Sequence, residues 1–123
     1  MILGIGNDII EIERIRKAIE RYELRFLNRL FTPHEQDYCL KRKDPAIHFA
    51  GRFAAKEAVV KALGTGFRNG LEWTDFEIYS NLHGKPFVKL SEKASNLFHT
   101  PHLHLSMSHS QFYATAIAIW EQN

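Results

Sequence analysis

Phe49 to Gly66 reads FAGRFAAKEAVVKALGTG. Its periodicity predicts one helix, stopped by Gly64 and Gly66. Ala50, Ala54, Ala55, Ala58 and Ala62 are strong helix formers. Upstream, Asp44-Pro45 offers a start, with Asp at the N-cap and Pro at the first helical position. At about 100° per residue the helix has three sectors. Phe49, Phe53, Val60 and Leu63 form a bulky stripe, with Val59 at its edge. Gly51, Ala54, Ala55, Ala58 and Ala62 form a face of tiny side chains, where another backbone can come close. Glu57 and Lys61 lie one turn apart at the boundary between the two. Arg52 and Lys56 lie together on the stripe's other flank. Glu57 and Lys61 alone fit a surface ion pair, worth about 0.2–0.5 kcal/mol. Arg52 and Lys56, like charges one turn apart, are mildly unfavourable unless an anion or carboxylate sits nearby.

Working outward, Ile2, Leu3, Ile5, Ile9 and Ile10 predict a first strand, with Gly6-Asn7 bending it. Asp8 follows the bend, either as a cap for the next helix or as a buried functional acid. Residues 11–30 fit a helix with an apolar face of Ile12, Ile15, Ile19, Tyr22, Phe26 and Leu30. If it is unbroken, Arg14, Arg21, Arg25 and Arg29 form a second stripe. An all-arginine row favours carboxylate or phosphate recognition. Thr32-Pro33-His34-Glu35 has capping-box spacing, and a short helix follows to Lys41-Arg42-Lys43. Thr65-Gly66-Phe67-Arg68-Asn69-Gly70 reads as a loop. Trp73–Tyr79 and Phe87–Leu90 predict a hairpin around Asn81-Leu82-His83-Gly84-Lys85-Pro86. Ser91 caps a short helix over residues 92–98. Leu103–Ser110 and residues 113–120 alternate as a second hairpin, whose Ala114, Ala116 and Ala118 suit packing against a helix.

Composition narrows the classes. One domain over residues 1–123 is the expectation at this length. Sixteen Lys/Arg against 14 Asp/Glu give +2, too balanced to demand nucleic acid. The single cysteine, Cys39, excludes an intrachain disulfide framework and makes a cytoplasmic setting natural. No apolar run approaches a membrane span, and the first ten residues lack signal-peptide character. His99, His102 and His104 cluster, but no cysteine or acidic ligand is near them in the sequence. Ser108-His109-Ser110 makes a poor nucleophile and base, since adjacent strand residues face opposite ways. Ligand contact from the mouth of that hairpin is the better reading.

Two motifs then converge. Gly6-Asn7-Asp8-Ile9-Ile10-Glu11-Ile12-Glu13-Arg14 matches G-x-D-x5-R, and Phe53-Ala54-Ala55-Lys56-Glu57-Ala58-Val59-Val60-Lys61-Ala62 matches F-[SA]-x-K-E-[SA]-x-x-K-A. Together they resemble the 4′-phosphopantetheinyl transferases. Gly84-Lys85-Pro86, Ser108-His109-Ser110 and the chain length match that family's short type over Ile2 to about Glu121. The resemblance implies an α+β fold, a small antiparallel sheet packed by helices including one long central helix. It implies transfer of the phosphopantetheine arm of coenzyme A to a serine of apo acyl carrier protein, serving fatty acid biosynthesis. Asp8 and Glu57 then become magnesium ligands and Lys61 a phosphate-binding, proton-donating group. Lys56, His109 and Ser110 become contacts for other coenzyme A phosphates, and Gly84, Lys85 and Pro86 contacts at its adenine edge. Arg14, Arg21 and Arg25 become the docking row for an acidic carrier protein. The base for the serine is open between a metal-bound water, Glu57 and Glu35. A homotrimer with sites between subunits is also implied, with neither nucleic acid nor membrane as partner. The competing class is a non-catalytic RNA- or anion-binding module. Glutamates interleaved with the basic residues, and the lack of an aromatic platform motif, count against it.

Overall fold

The computed structural model describes residues 1–64, 66–67 and 70–123. The predicted loop at 65–70 therefore falls partly outside the described residues, at Thr65, Arg68 and Asn69. A strand β1 (Ile2–Glu11) leads into helix α1 (Ile12–Leu30), helix α2 (Pro33–Leu40) and the long helix α3 (Pro45–Leu63). A 3₁₀ turn (Trp73–Asp75) precedes β2 (Phe76–Ser80) and β3 (Pro86–Leu90), then α4 (Glu92–Leu97), β4 (His102–His109) and β5 (Tyr113–Glu121). The main sheet has the order β1-β5-β4, all antiparallel, and β2 and β3 form a separate hairpin. The architecture is α+β, as expected. No helix among the described residues is long and apolar enough to cross a membrane.

α3 lies on the sheet by its small face. Ala54, Ala55 and Ala58 are fully buried, against Ala116 and Ala118 of β5. The closest approach is to β1. A Cβ on Gly4 would overlap the carbonyl oxygen of Ala62. One on Gly6 would overlap that of Ala58 and stand 2.7 Å from the Ala62 nitrogen. The glycines, read in sequence as a bend, instead let a helix backbone rest on β1, which pairs in steady register from Gly4 to Glu11 after a shift between Ile2 and Gly4. Gly64 ends α3 in the left-handed conformation, φ 78°, as predicted.

Three local expectations are corrected. Asp8 is not a cap: Glu11 holds the N-cap position of α1, and the Ile12 N–H donates to the Phe112 carbonyl at 2.9 Å. Asp44 precedes α3 without capping it through its side chain, because Arg16 takes both its oxygens at 2.7 and 3.1 Å. α1 is broken at Glu23, whose φ of 50° resets the helical phase. Tyr22 is therefore exposed, and Leu27 takes its place in the core with Ile12, Ile15 and Leu30. The break also splits the arginine row, with Arg14 and Arg21 before it and Arg25 and Arg29 after. All four are exposed.

Candidate functional site

The first group of site residues forms where β1 passes beneath α3. Strand alternation turns Gly4, Gly6, Asp8 and Ile10 toward the helix. With glycine at two of those positions, Asp8 stands close under Glu57 and Lys61. The Lys61 ammonium donates to the Asp8 carboxylate and to the Asn7 carbonyl, each at 3.1 Å. Lys61, paired with Glu57 in the simplest sequence reading, thus reaches across to the strand. Burial, and then the negative charge of Asp8, push the Glu57 carboxyl above the ordinary range, with Lys61 pulling it partly back. A carboxyl raised by burial and by a facing carboxylate, beside a lysine, makes a place where a cation relieves repulsion.

A second group lines a cleft of about 170 Å³ on the other side of α3. Gly84 and Pro86 of the β2–β3 hairpin and His109 at the end of β4 meet there, with Arg52, His48 and Ser80. Arg52 is 4% exposed and stacks its guanidinium on the Tyr38 ring at 4.0 Å. One terminal nitrogen reaches the Ser80 hydroxyl at 3.5 Å, while its buried Nε has no hydrogen-bond partner. Burial, and then the positive charges of Arg52, Arg42 and His109, hold His48 below its usual range. A buried guanidinium with an unpartnered nitrogen, bordering this cleft, suits an anion. Lys85 and Ser110 are exposed at this end but outside the cleft lining. The Ser110 hydroxyl accepts from the Tyr113 N–H at 3.3 Å.

Lys56 belongs to neither group, and its assignment to a coenzyme A phosphate is corrected. Its side chain is fully buried. The ammonium donates to Glu35 at 2.6 Å, to the Leu30 carbonyl at 2.7 Å and to the Trp73 carbonyl at 3.1 Å, which uses all three protons. Glu35 closes the predicted capping box with Thr32 and also accepts from the Ile78 N–H at 2.7 Å. It is fully buried and cannot serve as base for a substrate serine. The sequence had signalled that Arg52 and Lys56 need an anion. The internal carboxylate goes to Lys56, which leaves Arg52, unassigned in the sequence reading, for an external one.

Arg52 and Glu57 are five residues apart on α3, about 140° around its axis. The two groups therefore lie on opposite flanks of one helix, the carboxylates at the β1 edge and the cleft beside β4 and the β2–β3 hairpin.

The family model of the 4′-phosphopantetheinyl transferase superfamily matches residues 4–118. The chain belongs to that superfamily. The holo-[acyl-carrier-protein] synthase of Protochlamydia amoebophila is 62% identical over 120 residues, covering 98% of each chain. Among solved structures, the holo-[acyl-carrier-protein] synthase of Neisseria meningitidis superposes with a TM-score of 0.92 at 32% identity, over 99% of this chain and 100% of that one. The synthase of Bacillus anthracis, solved in complex with CoA (3′,5′-ADP), has a TM-score of 0.84 at 37% identity, over 100% and 99%. Both groups of residues in this transferase fall within the matched span.

Proposed function

We propose that the protein is a holo-acyl-carrier-protein synthase. It moves the 4′-phosphopantetheine arm of coenzyme A to a serine hydroxyl of apo acyl carrier protein and releases adenosine 3′,5′-bisphosphate. The observation that carries this reading is the meeting of Asp8, Glu57 and Lys61 where two glycines bring β1 and α3 together. Asp8 and Glu57 fit magnesium, which takes few protein carboxylates and fills its remaining positions with phosphate oxygens and water. Bound there, it would polarise the attacked phosphoryl group and offset charge on the leaving phosphate. Lys61, half exposed, holds the pyrophosphate from the other side and donates a proton to the departing oxygen. Arg52 and His109 hold a further phosphate, with Gly84, Lys85 and Pro86 along the adenine edge and Ser110 beside them. Arg14 and Arg21, with Arg25 beyond the break in α1, dock the acidic carrier protein.

Residues 1–123 act as one transferase domain, working in the cytoplasm as a homotrimer. Three features support the assembly. The carboxylates and the phosphate cleft lie on opposite flanks of α3, and a cleft of about 170 Å³ is below the roughly 300–1,000 Å³ of a complete ligand pocket. A site completed by the carboxylates of one subunit and the cleft of the next resolves both. The outer face of the sheet also leaves Ile5 and Ile9 63% exposed and Ile117 40% exposed, an apolar surface suited to subunit contact.

Mass spectrometry of an apo carrier protein incubated with the enzyme, coenzyme A and magnesium tests the activity. A gain of one phosphopantetheine is expected, and no gain across a range of carrier proteins overturns the reading. Sedimentation equilibrium should give three chain masses; a fully active monomer sinks the shared site.

A further inference from the structure

Residues 102–104 read His-Leu-His. In a strand, alternate residues share a face, so β4 presents both imidazoles on its outer side. The register of β4 against β5 sets Glu121 opposite His102, with His104 one diagonal step away. This supplies the acidic partner that is remote in sequence. His104 Nε2 lies 3.0 Å from Glu121 Oε1, His102 Nδ1 lies 3.6 Å from the same oxygen, and the imidazole centroids are 4.6 Å apart. One donor atom from each of the three falls within 4.8 Å of the others. Ligands at about 2.0–2.1 Å around a tetrahedral zinc stand roughly 3.3 Å from one another, and the two histidine–glutamate separations bracket that spacing.

The geometry points to a transition-metal site of the zinc class at His102, His104 and Glu121. It is separate from the Asp8–Glu57 pair and independent of the transfer reaction. The two sites differ in chemistry. Two imidazole nitrogens and one carboxylate suit zinc and its neighbours, whereas magnesium seeks oxygen. In the single chain the three side chains are half exposed, at the end of the outer sheet face beside the subunit contact proposed for Ile5, Ile9 and Ile117, so a cation can enter from that end and keep water in its fourth position. Its structural effect is local. It ties the first residues of β4 to the last residues of β5, where the sheet ends.

Isothermal titration of the whole protein with zinc chloride, in excess magnesium to fill the carboxylate pair, tests the site. One zinc per chain is expected, together with a zinc-dependent rise in melting temperature. His104→Gln and His102→Gln should each weaken zinc binding at least about tenfold, the lower end of what even outer-shell partners contribute. Asp8→Asn should leave it unchanged. Cobalt should give the intense visible bands of a four-coordinate ion in the wild type and lose them in His104→Gln. Absence of zinc binding overturns the site and leaves only a hydrogen-bonded cluster. Binding that survives both histidine replacements, or that disappears in Asp8→Asn, equally overturns it.

Discussion

Replacing Lys56 by methionine separates a core ion pair from a phosphate ligand. Methionine nearly fills the space and removes the charge. The Glu35 carboxylate then keeps the N–H groups of Thr32 and Ile78 but loses the cation paired with it. The carbonyls of Leu30 and Trp73 lose their donor as well. Breaking a buried pair by removing one partner costs about 3–5 kcal/mol, against a total stability of about 5–15 kcal/mol. At roughly 3–5 °C per kcal/mol for a chain this long, the melting temperature should fall by about 10–20 °C. The loss should also depend on pH. Burial already pushes Glu35 above its usual range, and Lys56 is the main influence opposing that. Without Lys56 its folded pKa rises further above the unfolded value, so the folded variant binds the extra proton. The variant's stability is then retained at low pH and lost as pH rises through the folded value, and its deficit narrows on acidification. Urea denaturation at fixed protein concentration across several pH values measures this, and steady-state kinetics at low temperature measures the coenzyme A KM. A stability near wild type with a coenzyme A KM raised manyfold would refute the argument and return Lys56 to the phosphate site.

Asp8→Asn and Glu57→Gln should each abolish transfer while urea midpoints stay close to wild type, because both keep shape and remove charge; near-normal turnover in either excludes that residue as a metal ligand. Gly6→Ala forces β1 away from α3, and overpacking of this kind costs about 1–3 kcal/mol. Its activity should fall further than its stability, and an unchanged enzyme would mean that the close approach is dispensable. Arg52→Gln should raise the coenzyme A KM about tenfold or more with the carrier-protein KM unchanged, the mark of a charge-assisted contact to the cofactor. Arg14→Ala and Arg21→Ala should weaken carrier-protein binding by about 1–3 kcal/mol if desolvated, with a KM that rises with salt; a raised coenzyme A constant alone would turn that face of α1 toward the cofactor.

Legibility followed the range of the interactions. The capping box at Thr32 and Glu35 was readable because it is local, as were the alanine faces of α3 and β5 and the stop at Gly64. The second role of Glu35 was not, since Lys56 and Ile78 meet it only after α2, α3 and β2 have packed. Gly4 and Gly6 were visible as breaks in an isoleucine run, but glycine marks a bend and a close contact alike. The helix that needs the space arrives from elsewhere. The turn at Glu23 carried no signal, because glutamate rarely adopts positive φ. Trp73 to Asp75, expected to open a strand, form a 3₁₀ turn. The Asp75 carboxylate holds the Glu72 N–H at 2.7 Å and the Ser91 hydroxyl at 2.6 Å, and Ser91 lies far along the chain.

Pairing of β1 with β5 sets an order of events at the ribosome. Ile2 lies opposite Glu121 and Asp8 opposite Ala116. Synthesis delivers β1 first, and β5 only after α3, the β2–β3 hairpin and β4. Contacts of such long sequence separation form late and slowly. Until residues 113–121 emerge, β1 is an isoleucine-rich strand with open hydrogen bonds on both edges, the kind of segment that chaperones cover and that aggregates when they do not. A message cut short before β5 therefore yields no weakened enzyme. It yields an adhesive fragment whose β1 has no partner strand.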